Sequence, residues 1–401
     1  MTAVTSADVL KQGEHAGQLR RMDGGVEFRY NDDYLRDGVA IASTLPLTDQ
    51  PIFTAAGAVP PFFAGLLPEG RRLTALRRVV KSSADDELSL LVAVGSDTIG
   101  DVQIVPRNSK APHADTSITI TKSFDEISFD DLIGESSSGG STKPALAGVQ
   151  DKVSARMISV PIAQRRARYI LKLNPPEYAH LVENEAFFLD LARSARMPVA
   201  ASRVVHDRDG ASGLLVTRFD REWDGEDMRM LAVEDACQAL ALWPADKYNV
   251  PMEDAATALL NLTPARVVAA QAILRQTAYA WLTGNGDLHS KNLAVLNSPD
   301  TGQRISPAYD LPSTLFYGDS TLALTIGGRD TLAANRLRNF ARFLGVPDKA
   351  AETTVIAVLK ATGDLSAQLG AAKLGFDSKT TDKVVRQLTT RHREIARVIG
   401  D

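Results

Sequence analysis

An aspartate and an asparagine stand close together in the second half of the chain, directly after a long apolar segment. Segment 284–293 reads Gly-Asn-Gly-Asp-Leu-His-Ser-Lys-Asn-Leu and places Asp287 five residues ahead of Asn292. A carboxylate in a polar loop can accept a proton from a hydroxyl, and an amide oxygen beside it can hold a hard cation such as Mg²⁺. The pair could therefore serve transfer of a phosphoryl group to a hydroxyl. The ordinary alternative is a turn, since Asn-Gly-Asp is a frequent turn sequence.

A second aspartate could join this pair. Asp310 follows Asn292 by eighteen residues, in a Ser-Pro-Ala-Tyr-Asp-Leu segment. Its carboxylate and the Asn292 amide are both oxygen ligands of the kind that Mg²⁺ prefers. A lone Tyr-Asp pair carries no information by itself, so the case for Asp310 depends on the other candidate residues.

A lysine in an apolar segment is the third chemical feature. Lys172 lies in segment 169–173 (Tyr-Ile-Leu-Lys-Leu), which reads as a buried strand. A buried ammonium is costly unless it is paired. Glu183 and Glu185, on the predicted helix 182–193, are the available partners. Taken alone, Lys172 is better explained as a surface lysine at a strand edge.

A glycine- and serine-rich stretch, 134–142, leads into segment 146–152, Leu-Ala-Gly-Val-Gln-Asp-Lys. It matches neither G-x-G-x-x-G nor the Walker A pattern, so the general phosphate motifs fail. Glycine still permits close approach of backbone N–H groups to phosphate oxygens, and a lysine adds charge. The candidate nucleotide-binding residues here are Ala147, Gly148, Val149, Gln150 and Lys152.

The order of these features along the chain is more informative than any one of them. A glycine-containing loop, a strand lysine, a helix glutamate, an Asp/Asn loop and a second aspartate follow one another as they do in two-lobed protein kinases. Agreement of five weak signals in that order is unlikely by chance. We therefore interpret the set as a phosphotransferase site.

The elements that must position this site are strands first and helices later. We predict an α+β chain with a two-lobed protein-kinase-like fold, a β-rich N-terminal subdomain and an all-helical C-terminal lobe. The predicted domains are an N-terminal subdomain (1–108), a small mixed lobe (109–230) and a helical lobe (231–401). Helices are predicted at 234–242, 254–260, 266–282, 336–344, 350–359 and 383–398.

Composition narrows the class of protein. The chain has 401 residues, of which 44% are hydrophobic and 23% charged, as in globular proteins. Its formal net charge of -4 makes general binding to nucleic acid an unsuitable role. One cysteine excludes an intrachain disulfide. With no recognisable signal peptide or apolar span, we expect a cytoplasmic protein without membrane contact.

Several motifs resemble those of HipA kinases. Segment 146–152 resembles their phosphate loop, 284–292 their catalytic loop and 308–311 their metal-binding segment. Segment 62–70 (Phe-Phe-Ala-Gly-Leu-Leu-Pro-Glu-Gly) is similar to a hallmark of their N-terminal subdomain, and Leu45-Pro46-Leu47 and segment 218–221 also fit. The resemblance runs from about residue 10 to 320, and several unusual motifs recur in order.

This resemblance implies an ATP- and Mg²⁺-dependent serine/threonine kinase. Asp287 would orient the attacking hydroxyl, Asn292 and Asp310 would hold Mg²⁺, and Lys172 would contact the α- and β-phosphates. Thr217, Arg218 and Phe219 would line the adenine through hinge backbone groups. His289 and Lys291 would steady the catalytic loop or the transferring phosphoryl group.

The resemblance also implies partners. HipA kinases are growth-inhibiting toxins linked to persistence, and their known targets are aminoacyl-tRNA synthetases. A DNA-binding antitoxin, HipB, restrains them and represses their operon, so operator DNA would be contacted through the antitoxin.

The sequence departs from its relatives at two positions. Members controlled by autophosphorylation carry a serine at or just before the phosphate loop, where this chain has Ala145. In some relatives a glutamine occupies the place of Val233, so we expect this chain to lack one nucleotide contact that those relatives make. The hydroxyls nearest to the loop, and hence the candidates for regulatory phosphorylation, are Ser136, Ser137, Ser138, Ser141 and Thr142.

Two other functions stay open. A small-molecule phosphotransferase of the aminoglycoside-kinase type shares the Asp/Asn loop, although segment 62–70 argues against it. A pseudokinase that acts only as a corepressor is disfavoured by the complete set of Lys172, Asp287, Asn292 and Asp310.

Overall fold

The first hundred residues form an antiparallel sheet with helices packed against it. A computed structural model describes residues 4–81, 86–109, 118–136, 157–164, 167–225 and 227–399. Its first sheet has the strand order β4-β3-β2-β1-β5. The strands are β1 (Ser6–Lys11), β2 (Glu14–Met22), β3 (Gly25–Tyr30), β4 (Ile52–Ala55) and β5 (Val102–Pro106). We call the described residues 4–109 the N-terminal sheet domain.

Local sequence explains why this sheet forms. Asp23 and Gly24 connect β2 to β3 as a two-residue hairpin loop, and Gly24 has a φ of 81°, which glycine adopts without strain. Val26, Phe28 and Tyr30 alternate along β3 and are buried. They pack against three helices of the same domain, α1 (Tyr34–Asp37), α2 (Pro61–Ala64) and α4 (Glu87–Val94). A further helix, α3 (Gly70–Val80), packs on α4.

The second sheet carries the strand lysine. Its order is β6-β7-β8-β10-β9. The strands are β6 (Ile118–Thr119), β7 (Ile158–Gln164), β8 (Ala167–Leu173), β9 (Ser202–His206) and β10 (Ser212–Thr217), and the helices are α5 (Phe129–Ser136) and α6 (Leu181–Ser194). Leu171 and Leu173 of β8 pack on the core beside Phe129. Because side chains alternate along a strand, Lys172 emerges on the opposite face.

Helices dominate the rest of the described chain. They are α7 (Ala236–Ala239), α8 (Met252–Leu262), α9 (Arg266–Thr283), α10 (Ala334–Phe343), α11 (Asp348–Thr362), α12 (Leu365–Ala372) and α13 (Ser378–Ile399). Helix α9 is buried along most of its length, including Ile273, Leu274 and Tyr279. It is the centre of the largest hydrophobic core and ends at the start of the Asp/Asn loop.

The α+β, two-lobed fold class is confirmed, with one correction to the helical lobe. That lobe also contains a three-stranded antiparallel sheet of β13 (Ala232–Asp235), β14 (Ala294–Ser298) and β15 (Gly302–Ile305), after a hairpin of β11 (Arg221–Asp224) and β12 (Asp227–Met230). The predicted helix 234–242 is therefore wrong at its start, where Glu234 and Asp235 pair with Val295 and Ala294. Pairing with a distant strand overrides the local helical pattern.

Within the described part of the chain, no helix combines the length and the apolar character that crossing a membrane requires.

Candidate active site

The Asp/Asn loop is closed by hydrogen bonds among its own polar residues. Helix α9 ends at Thr283 and is capped by Gly284, whose φ of 70° suits a left-handed helix cap. The Asp287 amide donates to Oδ1 of Asn285 at 2.8 Å, and Nδ2 of Asn292 donates to the Asp287 carbonyl oxygen at 2.9 Å. Nδ2 of Asn285 reaches the carbonyl of Asp310 at 3.4 Å. The three residues that the sequence singled out in this region thus belong to one network.

Lys172 connects the small lobe to this network. Its Nζ donates to Oε1 of Glu185 at 2.7 Å and also binds a carboxylate oxygen of Asp310. Glu185 is the partner; the other glutamate considered from the sequence, Glu183, instead accepts from Asn174 at 3.2 Å. A strand lysine is thus paired with a helix glutamate, next to the carboxylate expected to bind the metal.

Burial and charge act in opposite directions on this pair. Burial raises the pKa of Glu185 to about 7, although the neighbouring Lys172 ammonium lowers it. Burial by itself would lower the pKa of Lys172, but the carboxylates of Asp310 and Glu185 outweigh that effect and raise it. Lys172 therefore keeps its positive charge in the site.

Helix α6 is attached to the segment that follows Asp310. Asn184 accepts the backbone N–H of Ser313 on its Oδ1 at 2.8 Å and donates from its Nδ2 to the Ser313 carbonyl at 3.0 Å. Asn184 is fully buried, so the two bonds satisfy a side chain that would otherwise be costly to bury. Because Asn184 precedes Glu185, these bonds hold the glutamate towards Lys172.

The site has suitable ligands for a hard cation. Asn292 uses its amide nitrogen on the Asp287 carbonyl, so its Oδ1 is the atom left to meet a metal. Asp310 offers a carboxylate, and its backbone has a φ of 53°, an uncommon conformation that is frequent at functional sites. Oxygen donors of this kind fit Mg²⁺.

A tyrosine that the sequence did not single out contacts the candidate base. Oη of Tyr248 donates to Oδ1 of Asp287 at 2.7 Å. The Tyr248 ring meets the His289 ring edge to face, with centroids 4.9 Å apart. Asp287 is fully buried and His289 nearly so. No sequence pattern links Tyr248 to the loop, since it lies between two helices of the larger lobe.

Lys291 lies on the side of the loop that faces the N-terminal sheet domain. Its Nζ donates to Oδ2 of Asp235 at 3.1 Å and to the Gly65 carbonyl at 2.9 Å. Glu69 Oε1 lies 3.7 Å away. Burial would lower the pKa of Lys291, but Asp235 and Glu69 raise it, so the lysine stays charged.

Residues 217–219, the predicted hinge, form backbone hydrogen bonds and lie beside a buried ionic network. The N–H of Thr217 donates to Ala201 and that of Arg218 to Arg168, at 2.7 and 2.9 Å. The Phe219 ring packs on Tyr309, with centroids 5.6 Å apart. Whether Thr217 and Phe219 line adenine stays a prediction.

The network beside the hinge joins it to the N-terminal sheet domain. The guanidinium groups of Arg218 and Arg221 both bind Asp97 and Asp220, and both donate to the Thr98 carbonyl at 2.7 Å. Burial would raise the pKa of Asp220, but the two arginines lower it to about 2. They likewise lower the pKa of Asp97 against the effect of burial.

Several predicted residues lie outside the described part of the chain. These are the nucleotide-loop candidates Ala147, Gly148, Val149, Gln150 and Lys152, and the hydroxyl residues Ser137, Ser138, Ser141 and Thr142. Ser136 is the last residue of α5. Their roles stay predictions.

The fold and site together define a two-lobed, protein-kinase-like chain. Comparison with protein families gives its group. The HipA-like C-terminal domain matches residues 144–365, and the HipA N-terminal domain matches residues 7–105. The chain belongs to the HipA family.

Two relatives can be aligned with this chain over most of its length. A putative kinase, Y4dM, of Sinorhizobium fredii is 30% identical over 365 residues, which cover 83% of this chain and 84% of the relative. The serine/threonine-protein kinase toxin HipA of Shewanella oneidensis is 27% identical over 379 residues and 86% of each chain.

A solved structure has the same fold. It is a chain of the toxin–antitoxin complex of HipA, HipB and operator DNA from Shewanella oneidensis MR-1, with a TM-score of 0.77 at 21% identity. The match covers 98% of both chains.

Proposed function

We propose that this protein is an ATP- and Mg²⁺-dependent serine/threonine kinase that acts as a growth-inhibiting toxin. The observation that carries the proposal is the position of Lys172, which binds Glu185 on one side and Asp310 on the other. A lysine held in this way is the arrangement by which protein kinases hold nucleotide phosphates beside the metal ligands.

The residues divide the work by their chemistry. The γ-phosphoryl group passes from ATP to a serine or threonine hydroxyl of a protein, and ADP leaves. The attacking hydroxyl donates its proton to the carboxylate of Asp287. Lys172 neutralises charge on the α- and β-phosphates, which stabilises bound nucleotide as well as the transition state.

Asn292 and Asp310 would hold Mg²⁺. When bound, the metal neutralises charge on the phosphate oxygens. The residues of segment 147–152 would cover the phosphates, and Thr217 and Phe219 would line the adenine. The burial of Asp287 excludes bulk water from the base, which limits loss of the phosphoryl group to hydrolysis.

The proposed partners come from the named relatives. A toxin that is 27% identical supports the toxin role, and the HipA–HipB–operator DNA complex supports an antitoxin partner. The proposed antitoxin is a HipB-like protein with a helix-turn-helix fold. This protein would reach operator DNA through that antitoxin. The proposed target is a translation protein such as an aminoacyl-tRNA synthetase.

Incubation of the purified protein with γ-labelled ATP and a bacterial lysate tests the activity. Label should enter protein serine or threonine residues with Mg²⁺, and should not do so in excess chelator or with Asp287→Ala. Transfer to an aminoglycoside in place of protein would favour the small-molecule phosphotransferase. ATP binding without any transfer would favour the corepressor.

A further inference from the structure

A largely buried group of charges joins the N-terminal sheet domain to the Asp/Asn loop. We call it the Glu69 cluster; its members are Glu69, Asp235, Lys247 and Lys291. One carboxylate oxygen of Glu69 binds Nζ of Lys247, and the other lies 3.7 Å from Nζ of Lys291. Lys291 also binds Asp235 at 3.1 Å. Two cations thus balance two carboxylates.

Three members of the cluster are shielded from water, and Glu69 is partly exposed. The side chains of Lys247 and Lys291 are 10% and 12% exposed, that of Asp235 is 11% exposed, and that of Glu69 is 29% exposed. Charges in such surroundings interact more strongly than surface ion pairs, and removing one of them leaves another buried without compensation. Glu69 therefore helps to hold both lysines: it binds Lys247 and adds negative charge beside Lys291, which Asp235 and the Gly65 carbonyl also bind.

Each lysine of the cluster is next to a residue of the site. Lys247 precedes Tyr248, whose hydroxyl donates to Asp287. Lys291 precedes Asn292, the candidate metal ligand. The carbonyl of Lys247 also accepts hydrogen bonds from the backbone N–H and the hydroxyl of Ser290, at 3.2 and 2.9 Å. Glu69 thus lies behind both the candidate base, Asp287, and the candidate metal ligand, Asn292.

Segment 62–65 adds further contacts on the same side. Nε2 of Gln238 donates to the Phe62 carbonyl at 3.0 Å, and the Gly65 carbonyl accepts from Lys291. A Cβ on Gly65 would come within 2.8 Å of the Gln238 side chain. The absence of a side chain at Gly65 therefore permits this close approach.

We propose that Glu69 is a positioning residue for phosphoryl transfer, and that the N-terminal sheet domain completes the catalytic loop by holding Lys247 and Lys291. The inference rests on the proposed kinase function. It assigns Lys291 to the support of the loop, with no contact to the phosphoryl group. Glu69 touches neither substrate nor metal and acts through the two lysines.

Two Glu69 variants and one control variant, each made in the whole 401-residue chain, test this role. Glu69→Gln keeps the shape of the side chain and removes its charge. Its matched control is Asp8→Asn, which alters a buried carboxylate of the same domain that bonds to Gln18 and the Asn108 amide, away from the loop. Glu69→Asp keeps the charge but shortens the side chain, and serves if Glu69→Gln fails to fold.

The proposal predicts a loss of kcat of roughly 10- to 100-fold in Glu69→Gln, because misplacement of reacting groups by about 1 Å costs up to that factor. KM for ATP should change less than kcat, since Lys172 and its partners are untouched. Amide hydrogen exchange in segment 285–293 should quicken, while Asp8→Asn changes neither kcat nor that segment.

Three results would overturn the proposal: a kcat within twofold of the wild type, an equal loss in Asp8→Asn, or failure of both Glu69 variants to fold. The last would make the cluster a stability element only. Hydrogen exchange distinguishes failure of the positioning role from failure of the proposed kinase function. If the wild type transfers no phosphate, unchanged exchange in segment 285–293 of Glu69→Gln still refutes the positioning role, and faster exchange still supports it.

Discussion

The hydroxyl of Tyr248 donates a 2.7 Å hydrogen bond to Oδ1 of Asp287, across 39 residues of sequence. The same tyrosine ring packs edge to face against His289. One oxygen of the candidate base is thus held by a rigid aromatic donor. The bond fixes the orientation of the carboxylate relative to the candidate metal ligand Asn292, which donates to the carbonyl of the same aspartate.

Tyr248→Phe should lower kcat by about 10-fold or more with little change in KM for ATP. A hydrogen bond to a charged group contributes about 1.5–3 kcal/mol, and here it orients the base without touching nucleotide. Steady-state kinetics at varied ATP concentration measures the effects on kcat and on KM separately. The control is Tyr279→Phe, which removes a buried hydroxyl that links α9 to the Phe188 carbonyl of α6, with no bond to Asp287. That variant should lose stability and retain kcat; equal kcat losses in both would contradict the role of Tyr248.

Lys172 and Asp287 should separate binding from chemistry. Asp287→Ala should abolish transfer and leave ATP affinity nearly intact, because the base acts on the acceptor hydroxyl. Lys172→Ala should weaken ATP binding as well as turnover. Calorimetric titration with a non-hydrolysable ATP analogue measures ATP affinity, and transfer of labelled phosphate measures turnover. Equal losses of ATP affinity in the two variants would show that the roles are assigned wrongly.

The ionic network at the hinge predicts how stability responds to acid. Asp220 and Asp97 have pKa values below those of the unfolded chain, which are about 3.9. A lowered pKa in the folded state stabilises the protein above about pH 4, and this stabilisation is lost as the pH falls towards 2.

Asp97→Asn should therefore reduce the free energy of unfolding at pH 7 by about 1–3 kcal/mol and flatten its decline in acid. Urea denaturation between pH 7 and pH 2.5 measures both effects. Asp348→Asn is the control, since Asp348 forms an exposed ion pair with Arg342. A variant of Asp97 that behaved like this control would show that the network does not contribute to stability.

Autophosphorylation should fall within 136–142 if the kinase regulates itself near its nucleotide loop. Ala145 has no hydroxyl, so the position directly before Leu146 is closed to modification. A phosphate in 136–142 would add a charge of about -1.5 to -2 and repel the phosphates of ATP. Mass spectrometry after incubation with ATP, against Asp287→Ala, locates the site. Phosphate found only in distant helices would leave the antitoxin as the restraint.

The sequence was a good guide where chemistry depends on short spacings. Asp287 and Asn292 lie in one loop, so the covalent chain itself keeps them close and their pattern could be read directly. The strand lysine was found in the same way, from an ammonium in an apolar segment. The choice between Glu183 and Glu185 could not be made, because it depends on how α6 is rotated against β8. The Asn184–Ser313 bonds decide that rotation.

The local sequence pattern was a poor guide where a segment pairs with a distant strand. Glu234 and Asp235 looked helical, yet they belong to β13, which pairs with β14 directly after the Asp/Asn loop. The small sheet in the helical lobe was missed for this reason. A ladder with a partner about sixty residues away leaves no trace in the spacing of nearby apolar residues.

The sequence by itself determined the fold class, the family resemblance and the candidates for base, metal ligands and phosphate lysine. Only the tertiary structure brought Tyr248 to Asp287, Glu69 to Lys247 across 178 residues, and Asp97 to the hinge arginines. Side chains so far apart in the chain meet because the sheet domain and the lobes pack together. The energy of each contact depends on burial, which removes water from between the charges, and burial is a property of the packed molecule.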